Sequence, residues 1–165
     1  MKKLASTLIA VAVLSTISAA AVWAEGTPQV IESVAAAKFG PAPPMLPPGA
    51  QLSVLSGNPM GTGAYTVRFR MPANYAIPAH SHPTDENVVI TAGTFTFGMG
   101  DKLSKTAKEN KMIRVGGFAL MPAGMNHYAF TGPKGADILL YGQGPVEFKY
   151  VDPADDPRNA KAATK

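Results

Sequence analysis

From residue 51 onward, apolar and polar positions alternate in short runs separated by Gly- and Pro-rich turns. Residues 51–55 form the first run and end at Ser56-Gly-Asn-Pro59. Residues 64–71 alternate cleanly. Tyr65, Val67, Phe69 and Met71 share one face, and Thr66, Arg68 and Arg70 share the other, the period of a half-buried strand. Residues 77–82, 87–91 and 94–98 follow as strands. The last two are separated by Ala92-Gly93, and Phe95 and Phe97 fall on one face. Residues 116–121, 126–130, 137–141 and 146–151 close the series, with Val146, Phe148 and Tyr150 alternating against Glu147 and Lys149. About nine short strands with turn signals between them predict an all-β sandwich or barrel.

Other stretches break the pattern. Residues 28–38 read as a short helix. The following stretch, 39–49, holds five prolines and two glycines and reads as an extended arm against the barrel. Residues 101–112 are charged and rich in helix formers, with Asp101 as a candidate cap and four lysines on a solvated face; they predict a helix or an ordered loop. Residues 152–165 carry no apolar period and read as a polar, loosely packed tail.

Residues 1–24 have the form of a secretory signal: Lys2 and Lys3, a mostly apolar stretch, then Val22-Trp-Ala24 with small residues at −3 and −1. An uncleaved anchor is the alternative, because the run is marginally long enough to span a membrane. No twin arginine and no lipobox cysteine accompany it. Cleavage would leave 141 residues (165 − 24) in a periplasmic or secreted protein. Its organisation would be residues 25–50 as N-terminal helix and arm, 51–151 as barrel and 152–165 as tail. The formal charge of +4 falls to about +2 without Lys2 and Lys3. That is too weak and dispersed to argue for nucleic acid or an anionic membrane. No cysteine is present, so neither disulfides nor thiolate ligands are available.

The chain has three histidines, His80, His82 and His127, and all lie in two short segments. His80 and His82 are two apart and share a face on a strand. Glu86 keeps that parity. Three imidazoles and a carboxylate suit a first-row divalent metal, so the residues predict an ion held by His80, His82, Glu86 and His127 inside a barrel. Asp85 and Asn87 flank Glu86 and are read either as partners that orient an imidazole or as exposed. Arg68 and Arg70 read as exterior charges, with an anion-binding role inside the barrel as the alternative. Phe95, Phe97, Met121 and Tyr128 are read as pocket wall or as core. No catalytic Ser-His-Asp set, P-loop or dinucleotide fingerprint appears.

At these residues the chain resembles the cupin superfamily. His80, His82, Glu86 and Gly93 match its first motif, and Gly116, Pro122, Gly124 and His127 match its second. Asn74 replaces the glycine that opens the first motif, and Thr131 the asparagine that closes the second. Neither is a ligand position, but both leave the local turns open to question. The resemblance covers residues 50–151 and is nearest to small exported single-domain bacterial cupins. It implies a double-stranded β-helix, the RmlC-like jelly roll, and one divalent ion. Fe or Mn is favoured by the family; Zn, Ni and Cu compete in an exported protein. It also implies a small-molecule substrate or ligand, in a metal-dependent dioxygenase or isomerase or in a non-catalytic binding or sensing cupin. A barrel in which the metal only stabilises the fold is a third reading. Pairing through sheet edges would allow a homodimer.

Overall fold

The computed structural model describes residues 29–160. The proposed signal lies outside them. Nine antiparallel strands build the fold: β1 (Gly40–Pro41), β2 (Gln51–Ser56), β3 (Ala64–Met71), β4 (Ala76–Ser81), β5 (Glu86–Met99), β6 (Lys111–Arg114), β7 (Phe118–Met121), β8 (His127–Gln143) and β9 (Lys149–Tyr150). One path of hydrogen-bonded neighbours runs β1-β2-β3-β8-β4-β9, and β5 pairs with β6, β7 and β8. The sheet curls into an all-β jelly-roll barrel.

β5 and β8 are the frame. Each is one long strand, where the sequence predicts two separated by a break. β8 meets β3 along its second half and β4 along its first, while β5 follows it from Glu86↔Gly142 to Met99↔His127. The ladder bulges between Ile90 and Ala92 and again between Gly93 and Phe95. Gly93 has φ +69°, and a Cβ on it would lie 2.1 Å from the Gly135 carbonyl oxygen. The glycine read as a break is thus a bend within a continuing strand, made where two backbones touch.

The interior alternation holds. Tyr65, Val67 and Met71 of β3 are buried together with Val88, Ile90, Phe95, Phe97, Ile138 and Leu140. Arg68 and Arg70 point outward. Arg68 Nη2 donates to Thr91 Oγ1 at 2.8 Å and lies 3.8 Å from Asp137. Arg70 forms two 3.3 Å hydrogen bonds to the same carboxylate.

Two other segments differ from their expected form, and a third takes one of its two expected forms. The helix expected over 28–38 is a single 3-10 turn at Val34–Ala36. Of the helix or ordered loop expected over 101–112, residues 101–110 take the loop form, a series of turns and bends. Asp101 caps nothing there: it accepts from Asn126 Nδ2 at 2.7 Å, and Asn110 and the Ser104 carbonyl bind the Tyr128 hydroxyl. A loop tied down at both ends covers the outer side of β8. The polar tail contains a 3-10 turn, Pro153–Asp155, and one helical turn, Pro157–Ala160. Arg158 reaches back from it to the Phe148 carbonyl at 2.9 Å.

The arm crosses one end of the barrel. The Tyr75 hydroxyl donates to the Pro47 carbonyl and the Tyr150 hydroxyl to that of Met45. These bonds seat Leu46 in the core, 5 % exposed. The two departures from the cupin motifs meet in space. Asn74 takes φ +58°, which asparagine tolerates better than most residues. Its N–H donates to Gly132 O at 3.1 Å. Thr131 Oγ1 donates to Pro72 O at 2.7 Å and accepts from Tyr75 N at 2.9 Å. Each substitution therefore serves the same turn.

Candidate metal centre

The four residues picked from the sequence converge. His80 lies on β4 and His82 just beyond it, Glu86 opens β5 and His127 opens β8, with His80 and His127 directly paired. The imidazoles are 2 %, 7 % and 1 % exposed for His80, His82 and His127. Their nearest ring nitrogens all lie within 4.8 Å of one another, close to the span of two metal–ligand bonds of ~2.1 Å each. The Glu86 carboxylate is 3.6 Å from both His82 Nε2 and His127 Nε2.

The protons of the rings are fixed from behind. His80 Nδ1 is 2.6 Å from the Pro78 carbonyl, His82 Nδ1 2.7 Å from that of Glu147, and His127 Nδ1 2.9 Å from that of Met125. A carbonyl only accepts, so each Nδ1 carries the hydrogen. In the neutral ring Nε2 then holds a lone pair. For His82 and His127 those Nε2 atoms are buried without a hydrogen-bond partner. They face a carboxylate at a distance too long for a hydrogen bond. Converging lone pairs and a carboxylate with no donor between them form a cation cradle, and the donor set fits a divalent ion.

Burial and the neighbouring groups favour a neutral His80 ring. Burial, and then the nearby His127 and His82, push the His80 imidazole down to about 3. Burial acts to raise the Glu86 carboxyl, but the His127 contact, and any positive charge the neighbouring His82, His127 and His80 take up, outweigh it and leave the group below the usual carboxylate range.

Around the cradle, the expected wall residues divide. Phe95 and Phe97 line the cavity behind it, with Ile77, Ala129 and Ile138. Tyr128 turns outward under the 101–110 loop, and Met121 packs at the core margin. Asp85 orients no imidazole. It accepts from Ala123 N at 2.8 Å and so holds the turn before His127. Asn87 donates to the Tyr141 carbonyl at 3.3 Å.

Two features escape a reading of side-chain spacing. The ring-orienting groups are backbone carbonyls, which leave no residue signature. Phe148 stacks on His80 with ring centroids 4.6 Å apart and meets His82 edge-on at 4.6 Å; it arrives from the far end of the chain.

A pocket of about 800 Å³, counting its open mouth, runs from the surface to Glu86. Met60 is exposed at its edge, and Leu46, Leu52, Val67, Phe69, Val146 and Phe148 form much of its wall. Tyr65 is its one titratable residue besides Glu86. Burial, and then the Glu86 charge, push the Tyr65 hydroxyl up to about 12.

A curled antiparallel barrel with this inward cluster defines a cupin. The chain belongs to the ChrR cupin-like domain family, whose sequence model matches residues 29–147. No curated protein matches the chain. Among solved structures it is similar to the polyketide cyclase RemF from Streptomyces resistomycificus, with TM-score 0.53, 18 % identity, and 68 % of this chain and 78 % of that one covered. It is also similar to the DMSP lyase DddQ from Ruegeria pomeroyi DSS-3, with TM-score 0.51, 21 % identity and coverage of 67 % and 57 %. A third likeness is to Rhodobacter sphaeroides SigE in complex with the anti-sigma ChrR, with TM-score 0.50, 15 % identity and coverage of 68 % and 52 %. At these identities the likeness is one of fold.

Proposed function

We propose that this protein is an exported metal-dependent cupin. In this reading His80, His82, Glu86 and His127 hold one divalent ion, with Fe or Mn favoured, and the apolar pocket brings a small organic molecule to it. The observation that carries the reading is the pair of buried, partnerless Nε2 atoms on His82 and His127, turned toward a carboxylate at 3.6 Å. When bound, the ion supplies Lewis acidity and, for Fe or Mn, redox chemistry at a centre of net charge +1. The chain's own residues do the rest. The three backbone carbonyls fix the rings, Phe148 stiffens His80 and His82, and the apolar wall keeps bulk water from the bound molecule. Export rests on the form of residues 1–24.

Oxygenase-type catalysis is the enzymatic reading. A non-catalytic binding or sensing role is favoured by the pocket lining, where Tyr65 is the one titratable group outside the proposed ligands. Oxygen uptake by the Fe2+-loaded protein against a panel of small phenols and carboxylic acids separates the two. Turnover with any of them supports the enzyme. Saturable binding without oxygen consumption, across the panel, supports the binding protein.

A further inference from the structure

Four tyrosines are buried in the described barrel: Tyr65, Tyr75, Tyr128 and Tyr150. Three have a partner for the hydroxyl, namely the Pro47 carbonyl, the Ser104 carbonyl with Asn110, and the Met45 carbonyl. Tyr65 is 5 % exposed, and among the described residues its hydroxyl makes no hydrogen bond. Its hydroxyl oxygen is not one of the enclosed, unpaired side-chain atoms of the described residues, which are Arg68 Nε, His82 Nε2 and His127 Nε2, so it is open to a partner from outside the chain.

Register explains where that hydroxyl lies. Tyr65 on β3 and Glu86 on β5 both pair with Gly142 of β8, from opposite sides. All three positions therefore share the inner face. Gly142 has no side chain to stand between them. A Cβ there would lie 3.4 Å from the Tyr65 hydroxyl oxygen. The phenol thus reaches over the strand toward the Glu86 side, and both residues line the pocket.

The same lining limits the ligand. It contains no lysine or arginine, and its polar residues are Asn58, Tyr65 and Glu86. Asn58 is already engaged by its own turn, accepting from Met60 N at 3.0 Å. Arg68 and Arg70 are committed to Asp137 on the outer face. A centre of charge +1 balances one negative charge, and the wall offers nothing for a second.

We propose that Tyr65 is the ligand-contacting hydrogen-bond donor of this pocket, serving a small molecule with an apolar body and one anionic oxygen group that lies between the phenol and the metal centre. This rests on the metal reading above. A phenol is protonated at neutral pH and can donate to such an oxygen while the apolar body lies against Leu52, Val67 and Val146. Tyr65 then sets orientation and selectivity for the group that meets the ion.

The test uses full-length mature protein loaded with Co2+, whose visible absorption reports on its surroundings. Metal-to-chain ratio, thermal midpoint and the Kd for benzoate and for acetate are measured for wild type and Tyr65→Phe. The account expects equal metal content and a similar midpoint in both. Benzoate should bind wild type at least tenfold more tightly than acetate, and Tyr65→Phe should weaken benzoate about tenfold, the factor of one hydrogen bond to a charged group. Equal benzoate affinity in the two proteins, with both metal-loaded, overturns the role of Tyr65. Equal affinity for acetate and benzoate in wild type, or no benzoate binding there, overturns the ligand class. Failure of wild type to take up Co2+ overturns the underlying metal reading, and this proposal with it.

Discussion

Charged and ionisable groups gather in two places on this barrel, one on each side of the sheet. Outside, Arg68, Arg70, Thr91 and Asp137 form a cluster whose groups satisfy one another. Thr91 Oγ1 donates to the Asp137 carbonyl at 3.0 Å while it accepts from Arg68, and the Asp137 carboxylate takes both arginines. Only Arg68 Nε is left without a partner. Inside, His80, His82 and His127 are more deeply buried, and with Glu86 their functional atoms face one another as acceptors. Both clusters are built by the same alternation along adjoining strands. What separates them is whether the set is complete within the chain. The outer set is closed within the chain; the inner set, in the reading proposed above, is completed by a cation from outside.

Substitutions should separate the two clusters. The largest effect belongs to the inner one. His82→Ala or His127→Ala should cut bound divalent metal from near one per chain to below ~0.1, measured by elemental analysis, while circular dichroism keeps the β signature. Unchanged metal in both variants would dissolve the distinction.

Acid should act next, and on the inner cluster. His80 is at about 3 in the folded chain against an ordinary 6.5. Because the folded state holds fewer protons between those values, His80 contributes stability in full above about 6.5, and that contribution is lost as pH falls toward 3. The metal-free protein should lose roughly 3–5 kcal/mol across this window from this group, on the scale of ~1.4 kcal/mol per unit. Denaturant titrations at several pH values measure it. Stability that rises on acidification through the window would contradict the neutral, buried imidazole.

The outer cluster should answer differently. Asp137→Ala strands Arg68, whose side chain is 13 % exposed, and should cost about 2 kcal/mol with metal content unchanged. Arg70→Ala removes a side chain that is 44 % exposed and should cost less than ~0.5 kcal/mol. Urea unfolding reads both. A loss of metal in Asp137→Ala would show that the two sides are coupled through β8.

Much of this was legible because chemistry and period coincide. Three histidines in two segments, with Glu86 at an even offset, named the inner cluster before any fold was known, and the strict alternation of 64–71 put Arg68 and Arg70 on the other side. The continuity of β5 and β8 was not legible. Gly93 and the Gly132-Pro-Lys-Gly135 stretch carry the composition of turns, and only the contact of Gly93 with Gly135 shows that the strands bend there without ending. The 101–110 loop has helix-forming composition, but bonds from Tyr128 and Asn126 on neighbouring backbone pull it into turns. The Pro-rich arm could be read as extended; its seat could not, since Tyr75 and Tyr150 hold it through carbonyls. Tyr65 was assigned to the right face by alternation, yet its place beside Glu86 comes from their shared pairing with Gly142 of β8, which spacing along one strand does not reveal.

The measurement closest to the central claim is the metal-to-chain ratio of wild-type protein, purified without added metal or chelator. The account predicts close to one divalent first-row ion per folded chain. A folded barrel with no bound metal, and none taken up on exposure to Fe2+, Mn2+ or Zn2+, would contradict it.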